Sequence, residues 1–452
     1  MALIVIPKNV KTALDMLENA GFEAYVVGGC VRDCLMKRKV SDWDICTSAR
    51  PEETKRVFSE QKTIETGLKH GTLTVLIEGE SFEITSFRAD GEYSDSRHPE
   101  TVSFGVSLEE DLSRRDFTCN AIAYSPKRGM FDLFGGREDI ENKILRTVGD
   151  AEKRFAEDGL RVLRALRFAA VLGFEIEPDT SRAIHRCKNQ LKAISGERLF
   201  TELKKLVCGE DAPRVICEYH DVLGAFIPSF SRMAGFDQHS THHTKDVLGH
   251  SADVLAAVPK DDPALCLAAL FHDIGKPAAF FLSTDGRGRF FKHESRGANM
   301  LSPVWERLKP DNATRKKVSD LVRYHHINLN TNQTTLRRTI RRFGGDFLRD
   351  EIKLMRADAA AHTKHTAAMR LKNIDEFESA LEAELAAMPC LSLDKLAVNG
   401  KDMINIGIHQ GKLIGDTLSM LLDCVIEGKV ENEKEPLLRL AEKYAKENEN
   451  GK

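Results

Sequence analysis

The chain has 452 residues, 42% hydrophobic and 30% charged, enough for about three folded domains and far from a disordered composition. No apolar run reaches the roughly 18 residues of a membrane helix, and the run from Ala2 stops at Pro7, short of a signal peptide's apolar segment. Membrane spanning and secretion are disfavoured, and ten cysteines without a CxxC pair fit a reducing cytoplasm better than a disulfide scaffold or thiolate zinc module.

Val10, Ala13, Leu14 and Leu17 recur at helical spacing between Pro7 and Gly21, predicting a first helix. Glu23 to Val27 reads as a strand ending at Gly28-Gly29, and a second strand surrounds Trp43 and Ile45. Pro51 suits the first position of another helix. The β-rich runs 71–78 and 82–87, joined through Gly79, predict a hairpin. This half is α/β with a mixed sheet. From Asp150 onward the pattern is almost wholly helical, opening with one helix over 152–172, and ten of the fifteen histidines crowd between His239 and His365. The expected divisions are 1–145, 146–235, 236–385 and 386–452. The net charge of −3 speaks against a polyanionic partner only if it is evenly spread.

The chemistry begins at Gly28-Gly29 and at Asp42-Trp43-Asp44-Ile45. Residues i and i+2 of a strand point to one side, so Asp42 and Asp44 would present two carboxylates together, an arrangement that is costly without a cation between them. Hard oxygen ligands suit Mg²⁺ shared with substrate phosphates, and Glu83 on a later strand could add a third. The glycine turn and Arg32 could meet a triphosphate.

An apolar residue, Gly-Gly, a short helix and Asp-x-Asp on a strand resemble the polymerase-β-like nucleotidyltransferases. Gly28-Gly29-Cys30-Val31-Arg32-Asp33, then Arg114-Arg115-Asp116-Phe117-Thr118 with Asn120-Ala121, then Glu157-Asp158 with Arg161, Arg164 and Arg167, are similar to successive motifs of the class II tRNA nucleotidyltransferases. These comprise the CCA-adding enzymes and bacterial poly(A) polymerases. The resemblance implies a polymerase-β-like head over 1–145, a helical neck and body over 146–235 and a helical remainder. It makes Asp42 and Asp44 metal ligands and places Gly29, Arg32 and Arg115 against the nucleotide. It implies CTP and ATP as substrates, two Mg²⁺ ions, and tRNA, held at acceptor end and elbow, as partner. The chain departs from the family pattern at His98, Cys119 and Gly159. The loop 90–99 resembles the element that lets CCA enzymes switch from C to A, and the C-terminus lacks a strongly basic tail; both favour CCA addition over poly(A) or partial addition.

Asp158 and Arg161, three apart on the predicted helix, are neighbours, with an exposed ion pair as the bland reading. The resemblance makes them the reader of the incoming base. Cytosine and adenine each offer an amino donor beside a ring-nitrogen acceptor, which an accepting Asp and a donating Arg complement, while guanine and uracil reverse both positions. Arg164 and Arg167 continue the basic face.

His250, His272-Asp273, His293, His325-His326 and Asp358, in that order, resemble the HD superfamily of metal-dependent phosphohydrolases, implying an HD domain over 236–385. Imidazole with carboxylate suits a transition divalent ion. His243 rivals His250 as the first ligand. Between Asp311 and Gly345 stand eight Lys/Arg against two acids, and Arg337, Arg338, Arg341 and Arg342 form a basic stripe suited to phosphates; the segment 386–452 would be an RNA-gripping tail. A second reading makes the HD centre the main activity and the head a nucleotide-binding regulator.

Overall fold

In the computed structural model, the described residues are 4–68, 71–91, 101–240, 245–387, 393–408 and 411–449. They divide into two compact units, one formed by 1–235 with 260–263 and 302–312, the other by 236–259, 264–301 and 313–452.

The first unit opens with helix α1 (Lys8–Asn19), whose Val10, Ala13, Leu14 and Leu17 are buried as their spacing predicts. Strand β1 (Ala24–Val27) leads through Gly28 into α2 (Gly29–Leu35). Gly28 has φ +81°, and a Cβ there would lie 3.2 Å from Arg115 Nη1, so both backbone and space call for glycine. After β2 (Asp44–Thr47) come α3 (Pro51–Val57), β3 (Lys62–Ile64), β4 (Thr72–Ile77) and β5 (Glu80–Ser86). The short ribbon of β6 (Arg88–Asp90) and β7 (Val102–Phe104) precedes α4 (Leu108–Ser113), β8 (Ile122–Ser125) and β9 (Gly129–Asp132). The main sheet runs β3-β4-β5-β2-β1-β8-β9. It is mixed, as expected: β2 and β5 are parallel, whereas β4 and β5 form the predicted antiparallel hairpin.

Helix α5 (Gly136–Glu141) and the parallel pair β10 (Ile144–Leu145) and β11 (Glu175–Ile176) flank α6 (Ala151–Glu157) and α7 (Leu160–Leu172). The single helix expected over 152–172 is therefore two. Asp158 is extended at φ −140°, ψ 104°, and its Oδ1 accepts the Leu160 amide at 3.1 Å. A short carboxylate that competes for backbone amides favours such a break. Gly159 fits there because a Cβ would press within 3.0 Å of Gln190. Helix α7 buries Leu163, Leu166 and Ala170 and packs on α9 (Gly196–Val207), which follows α8 (Pro178–Cys187). Helices α10 (Ala212–Glu218) and α11 (His220–Gly224) close the unit.

Among the described residues, the second unit is helical apart from one hairpin. Helices α12 (Val247–Ala257), α13 (Pro263–Phe271) and α14 (Lys276–Ala279) precede β12 (Phe280–Leu282) and β13 (Gly288–Phe290), and α15 (His293–Leu308), whose residues from 302 on belong to the first unit, and α16 (Asn312–Tyr324) follow. Leu336, Ile340, Leu348, Ile352, Phe377 and Leu381 then form one core among α17 (Gln333–Phe343), α18 (Gly345–Ala360) and α19 (Lys364–Ala387). A separate core of Val398, Met403, Leu421, Ile426 and Leu437 joins α20 (Gly400–Asn405), α21 (Gly411–Ile426) and α22 (Lys434–Glu449).

Candidate active site and a histidine centre

Parallel pairing sets Asp44, the first residue of β2, directly opposite Glu83 of β5. Asp42 lies just before the strand rather than in it, so the same-side argument applies to Asp44 and Glu83 instead of Asp42 and Asp44. Burial, then the charges of Glu83 and Asp42, push the Asp44 carboxyl up, with Arg115 opposing. The carboxylates thus crowd one another, which is what a cation would relieve.

Beside them lies a network of guanidinium and carboxylate groups. Asp111 is fully buried and accepts from Arg114 Nη2 at 2.7 Å and Arg115 Nη2 at 3.1 Å. Arg32 donates through Nη1 to Asn120 Oδ1 at 2.6 Å, and Asn120 Nδ2 donates to Asp116 Oδ1 at 3.1 Å. Asp116 Oδ2 takes two bonds from Arg164, Nε at 2.9 Å and Nη2 at 2.6 Å. Burial opposes ionisation of Asp116, yet Arg164 and Asn120 hold its pKa down to about 2. Arg167 pairs with Glu202 at 3.0 Å and lies 3.9 Å over the Phe168 ring, with Arg32 at 5.1 Å and Arg164 at 5.3 Å from the same ring. Burial, partly offset by Glu202, lowers Arg167 to about 10. Phe168 thus gathers guanidinium groups into one electropositive patch.

Asp158 and Arg161 are each fixed, but not by one another. Asp158 Oδ2 accepts from Arg198 at 2.8 Å. Arg161 donates to Glu157 Oε2 at 2.5 Å and to the carbonyls of Arg154 at 3.1 Å and Arg114 at 2.9 Å. The helix break between them replaces the expected i,i+3 contact. The partners Asp111, Glu202, Arg198 and Phe168 escaped the sequence reading. Asp111 and Phe168 carried a signal, their i,i+4 spacings to Arg115 and Arg164.

In the second unit His250, His272, Asp273, His293, His325 and Asp358 are all buried and converge. His272 Nδ1–H donates to the Ala269 carbonyl at 2.8 Å, His293 Nδ1–H to Phe290 at 2.9 Å and His325 Nδ1–H to Val322 at 2.8 Å. Each ring is thereby turned so that Nε2 is its free-electron-pair nitrogen. His293 and His325 oppose their Nε2 atoms at 3.3 Å. His250 Nε2 lies 2.9 Å from Asp358 Oδ1. Asp273 touches Lys276 Nζ at 2.7 Å, His272 Nε2 at 3.2 Å and His293 Nε2 at 3.3 Å. Neither of its oxygens, nor His272 Nε2, makes a hydrogen bond of ordinary geometry. Three groups have donor atoms within 4.8 Å of one another: His293, His325 and His326; His250, His272 and Asp273; and His250, Asp358 and His362. Buried polar atoms without hydrogen bonds, in a set rich in imidazole and carboxylate, fit a transition divalent cation. His362 was missed by sequence reading, although its i,i+4 spacing from Asp358 was available. A cavity of about 180 Å³ beside the centre is lined by His325, His326, Asp358, Arg370 and Asn373. The rival His243, with most of the loop 90–99, lies outside the described residues.

Arg337 pairs with Glu384 at 2.6 Å, Arg338 with Glu427 and Arg341 with Asp423 and Ser419, so these three basic residues tie α17 to α19 and α21. Arg342 instead stacks over Phe343 at 4.8 Å and Tyr324 at 5.5 Å.

Comparison with known proteins agrees with this architecture. Residues 24–146 match the Poly A polymerase head domain, 173–221 the "Probable RNA and SrmB-binding site of polymerase A", and 300–441 tRNA nucleotidyltransferase domain 2. The mixed sheet with its glycine turn and carboxylate-tipped strands defines a polymerase-β-like nucleotidyltransferase head. A CCA-adding enzyme of Lactobacillus delbrueckii subsp. bulgaricus is 34% identical over 419 residues, 93% of both chains. One of Geobacillus stearothermophilus is 48% identical over 219 residues, 48% of this chain and 54% of its own length. The crystal structure of the Bacillus stearothermophilus CCA-adding enzyme in complex with CTP superposes with a TM-score of 0.70 at 30% identity, covering 99% of this chain and 100% of that one. The chain belongs to the CCA-adding enzymes, a family of nucleotidyltransferases whose chemistry depends on a divalent metal. No helix among the described residues is long and apolar enough to cross a membrane.

Proposed function

We propose that this chain adds C, C and A to tRNA 3′ ends from CTP and ATP in the cytoplasm, without a nucleic-acid template. The observations that carry the reading are the crowded carboxylates at Asp44 and Glu83, with Arg115 acting on Asp44, and the guanidinium patch around Phe168 in the same unit. Mg²⁺ held by Asp42, Asp44 and Glu83 would supply activation of the attacking hydroxyl and neutralise charge on the leaving pyrophosphate. The tRNA 3′ oxygen forms a bond to the α-phosphorus, the bond to the bridging oxygen breaks in line, and pyrophosphate departs. Arg32, Arg115, Arg164 and Arg167, with the backbone at Gly29, receive the triphosphate. Their positions are fixed beforehand by Asp111, Asp116, Asn120 and Glu202, so little ordering is needed when substrate enters. Asp158 accepts from the amino group of cytosine or adenine while Arg161 donates to the ring nitrogen. Because each is held by other groups, either can be lost without moving the other. Arg161→Ala is therefore expected to admit UTP and GTP at least roughly a hundredfold more readily, read by incorporation of each nucleotide. Unchanged discrimination would refute this role.

A second activity is favoured by the hydrogen-bond-free oxygens of Asp273 among imidazoles. We infer a metal-dependent phosphohydrolase centre of HD type in 236–385, with His250, His272, Asp273, His293, His325 and Asp358 as ligands, and 386–452 as an RNA-gripping tail. A bound transition ion would supply a nucleophilic water, and Arg370, whose Nη1 donates to Asp358 Oδ2 at 3.1 Å, would hold that ligand in place. Metal analysis of the purified protein tests it: a transition metal retained by the parent chain and lost in His272→Ala is expected, and absence of such a metal from both would overturn it.

A further inference from the structure

The hairpin β12–β13 leads straight into this centre. His293 follows its second strand, and its Nδ1–H donates to the carbonyl of Phe290 at 2.9 Å. The inner side of the hairpin is aromatic: Phe280 and Phe290 are cross-strand partners, Phe236 meets Phe280 edge-on at 5.4 Å, and Lys276 lies 5.4 Å from the Phe290 ring.

On the outer side the described residues leave side chains exposed. Arg289 lies in β13, Arg287 and Phe291 flank the strand just beyond its two ends, and all three are exposed. Phe281 sits across from Arg289 in register, so the two share a face. Phe281 is 58% and Phe291 71% exposed, and Leu282 beside them 50%. Exposed apolar side chains grouped on one hairpin mark a candidate contact surface. The result is a surface that alternates aromatic rings and guanidinium groups, with Lys292 following. Asp285 is the opposing charge, 3.9 Å from Arg287 and 3.5 Å from Arg289; one carboxylate against two guanidinium groups and a lysine leaves the face basic.

We propose that this face is a platform for single-stranded RNA, which it delivers to the histidine centre. Bases stack on Phe281 and Phe291, and phosphates lie against Arg287, Arg289 and Lys292. Aromatic rings interleaved with cations suit single strands because every base has a ring face and every linkage a charge. Base-paired RNA would expose its charges but not its ring faces, so the platform selects unpaired ends. The proposal rests on the phosphohydrolase reading for its destination but not for its binding step, and names the class of substrate: a phosphate ester at the end of a single RNA strand.

The test uses the full chain with a short fluorescent single-stranded RNA. The parent protein is compared with a Phe281→Ala, Phe291→Ala double variant and with Arg287→Gln, Arg289→Gln. Photo-crosslinks from a thiouridine-substituted RNA are mapped by mass spectrometry, and tRNA extension serves as the folding control. Crosslinks within 280–292, a loss of affinity of roughly tenfold or more in either variant, and unchanged tRNA extension are expected. Crosslinks confined to the head with unchanged affinity would overturn the platform. So would retained RNA binding with loss of binding to anionic phospholipid vesicles, which would make the face a membrane contact. Divalent-dependent release of phosphate from a 3′-phosphorylated RNA separates the two claims. If the parent releases none but the crosslinks appear, the hydrolase reading fails and the platform stands.

Discussion

Around Asp116 the buried charges are paired across the chain: Arg164 on one oxygen, Asn120 on the other, Arg32 beyond it and Glu202 against Arg167. Around Asp273, buried oxygens and a buried imidazole nitrogen go without hydrogen bonds, and imidazole rings turn the same nitrogen inward. The first arrangement sets each buried carboxylate against a guanidinium, although Arg167 Nε and Glu202 Oε2 are 3.0 Å apart without a regular hydrogen bond, and it suits a large anion from solvent; its open carboxylates stand at strand ends. The second is incomplete at its centre and fits a small cation. Burial has opposite consequences in the two places. In the head it sharpens an ion-pair lattice that holds arginines for a triphosphate. In the histidine centre it leaves Asp273 against Lys276 and imidazole rings without regular hydrogen bonds, a set that a small cation would complete.

This contrast can be broken most sharply by removing the metal-facing carboxylates. Asp42→Ala or Asp44→Ala is expected to reduce nucleotide addition by about a thousandfold or more, ~4 kcal/mol of barrier, while thermal stability holds or rises, because like charges crowd Asp44. A large fall in melting temperature would mean that the carboxylates serve the fold.

Asp116→Ala should act the other way. Leaving Arg164 and Asn120 buried without their partner costs about 3–5 kcal/mol, seen in denaturant unfolding. Acid reads the same residue. Its folded pKa of about 2 lies below the ordinary value of 3.8, so its stabilisation is full above the ordinary value and is lost as pH falls through about 2. The amount is roughly 2 kcal/mol, and Asp116→Asn should remove that part of the acid dependence.

For the histidine centre, Mn²⁺, Fe²⁺, Ni²⁺ or Zn²⁺ at a hundred times its dissociation constant should stabilise the unit by about 2.7 kcal/mol, in calorimetry after chelation and reloading. His272→Ala should erase that gain and leave tRNA extension intact. Loss of both together would mean that the two centres are not independent.

The smallest effects concern the basic stripe. Arg338→Ala removes an exposed ion pair with Glu427 and should change stability by no more than about 1 kcal/mol. Arg342, stacked on Tyr324 and Phe343, is the better placed to meet a phosphate. Arg342→Ala is expected to lower the salt dependence of tRNA binding by about one ion, and an unchanged slope would remove it from the RNA path.

How much of this was legible in the sequence follows from distance along the chain. Gly28-Gly29, the acids at 42 and 44 and the basic spacing 161–164–167 are short motifs whose chemistry is local, and the mixed sheet followed from turn and strand signals of the same range. Asp116 and Arg164 stand 48 residues apart, and no local pattern joins them. The break at Asp158 was hidden because apolar spacing runs on through Gly159, while the Asp158 carboxylate takes the Leu160 amide at short range against that pattern. The histidines were noticed as a crowd, but their shared ring orientation depends on helix ends that periodicity does not locate. The stripe at 337–342 shows the opposite limit: its charge was plain, and its acids on α19 and α21 were not.

The most direct measurement is the length and sequence of product on tRNA lacking its 3′ terminus, given Mg²⁺ with CTP alone, ATP alone or both. With both nucleotides, growth should stop after C, C and A, and Asp42→Ala should give none. Long A tails, growth with UTP or GTP, or no extension by the parent protein would contradict the account.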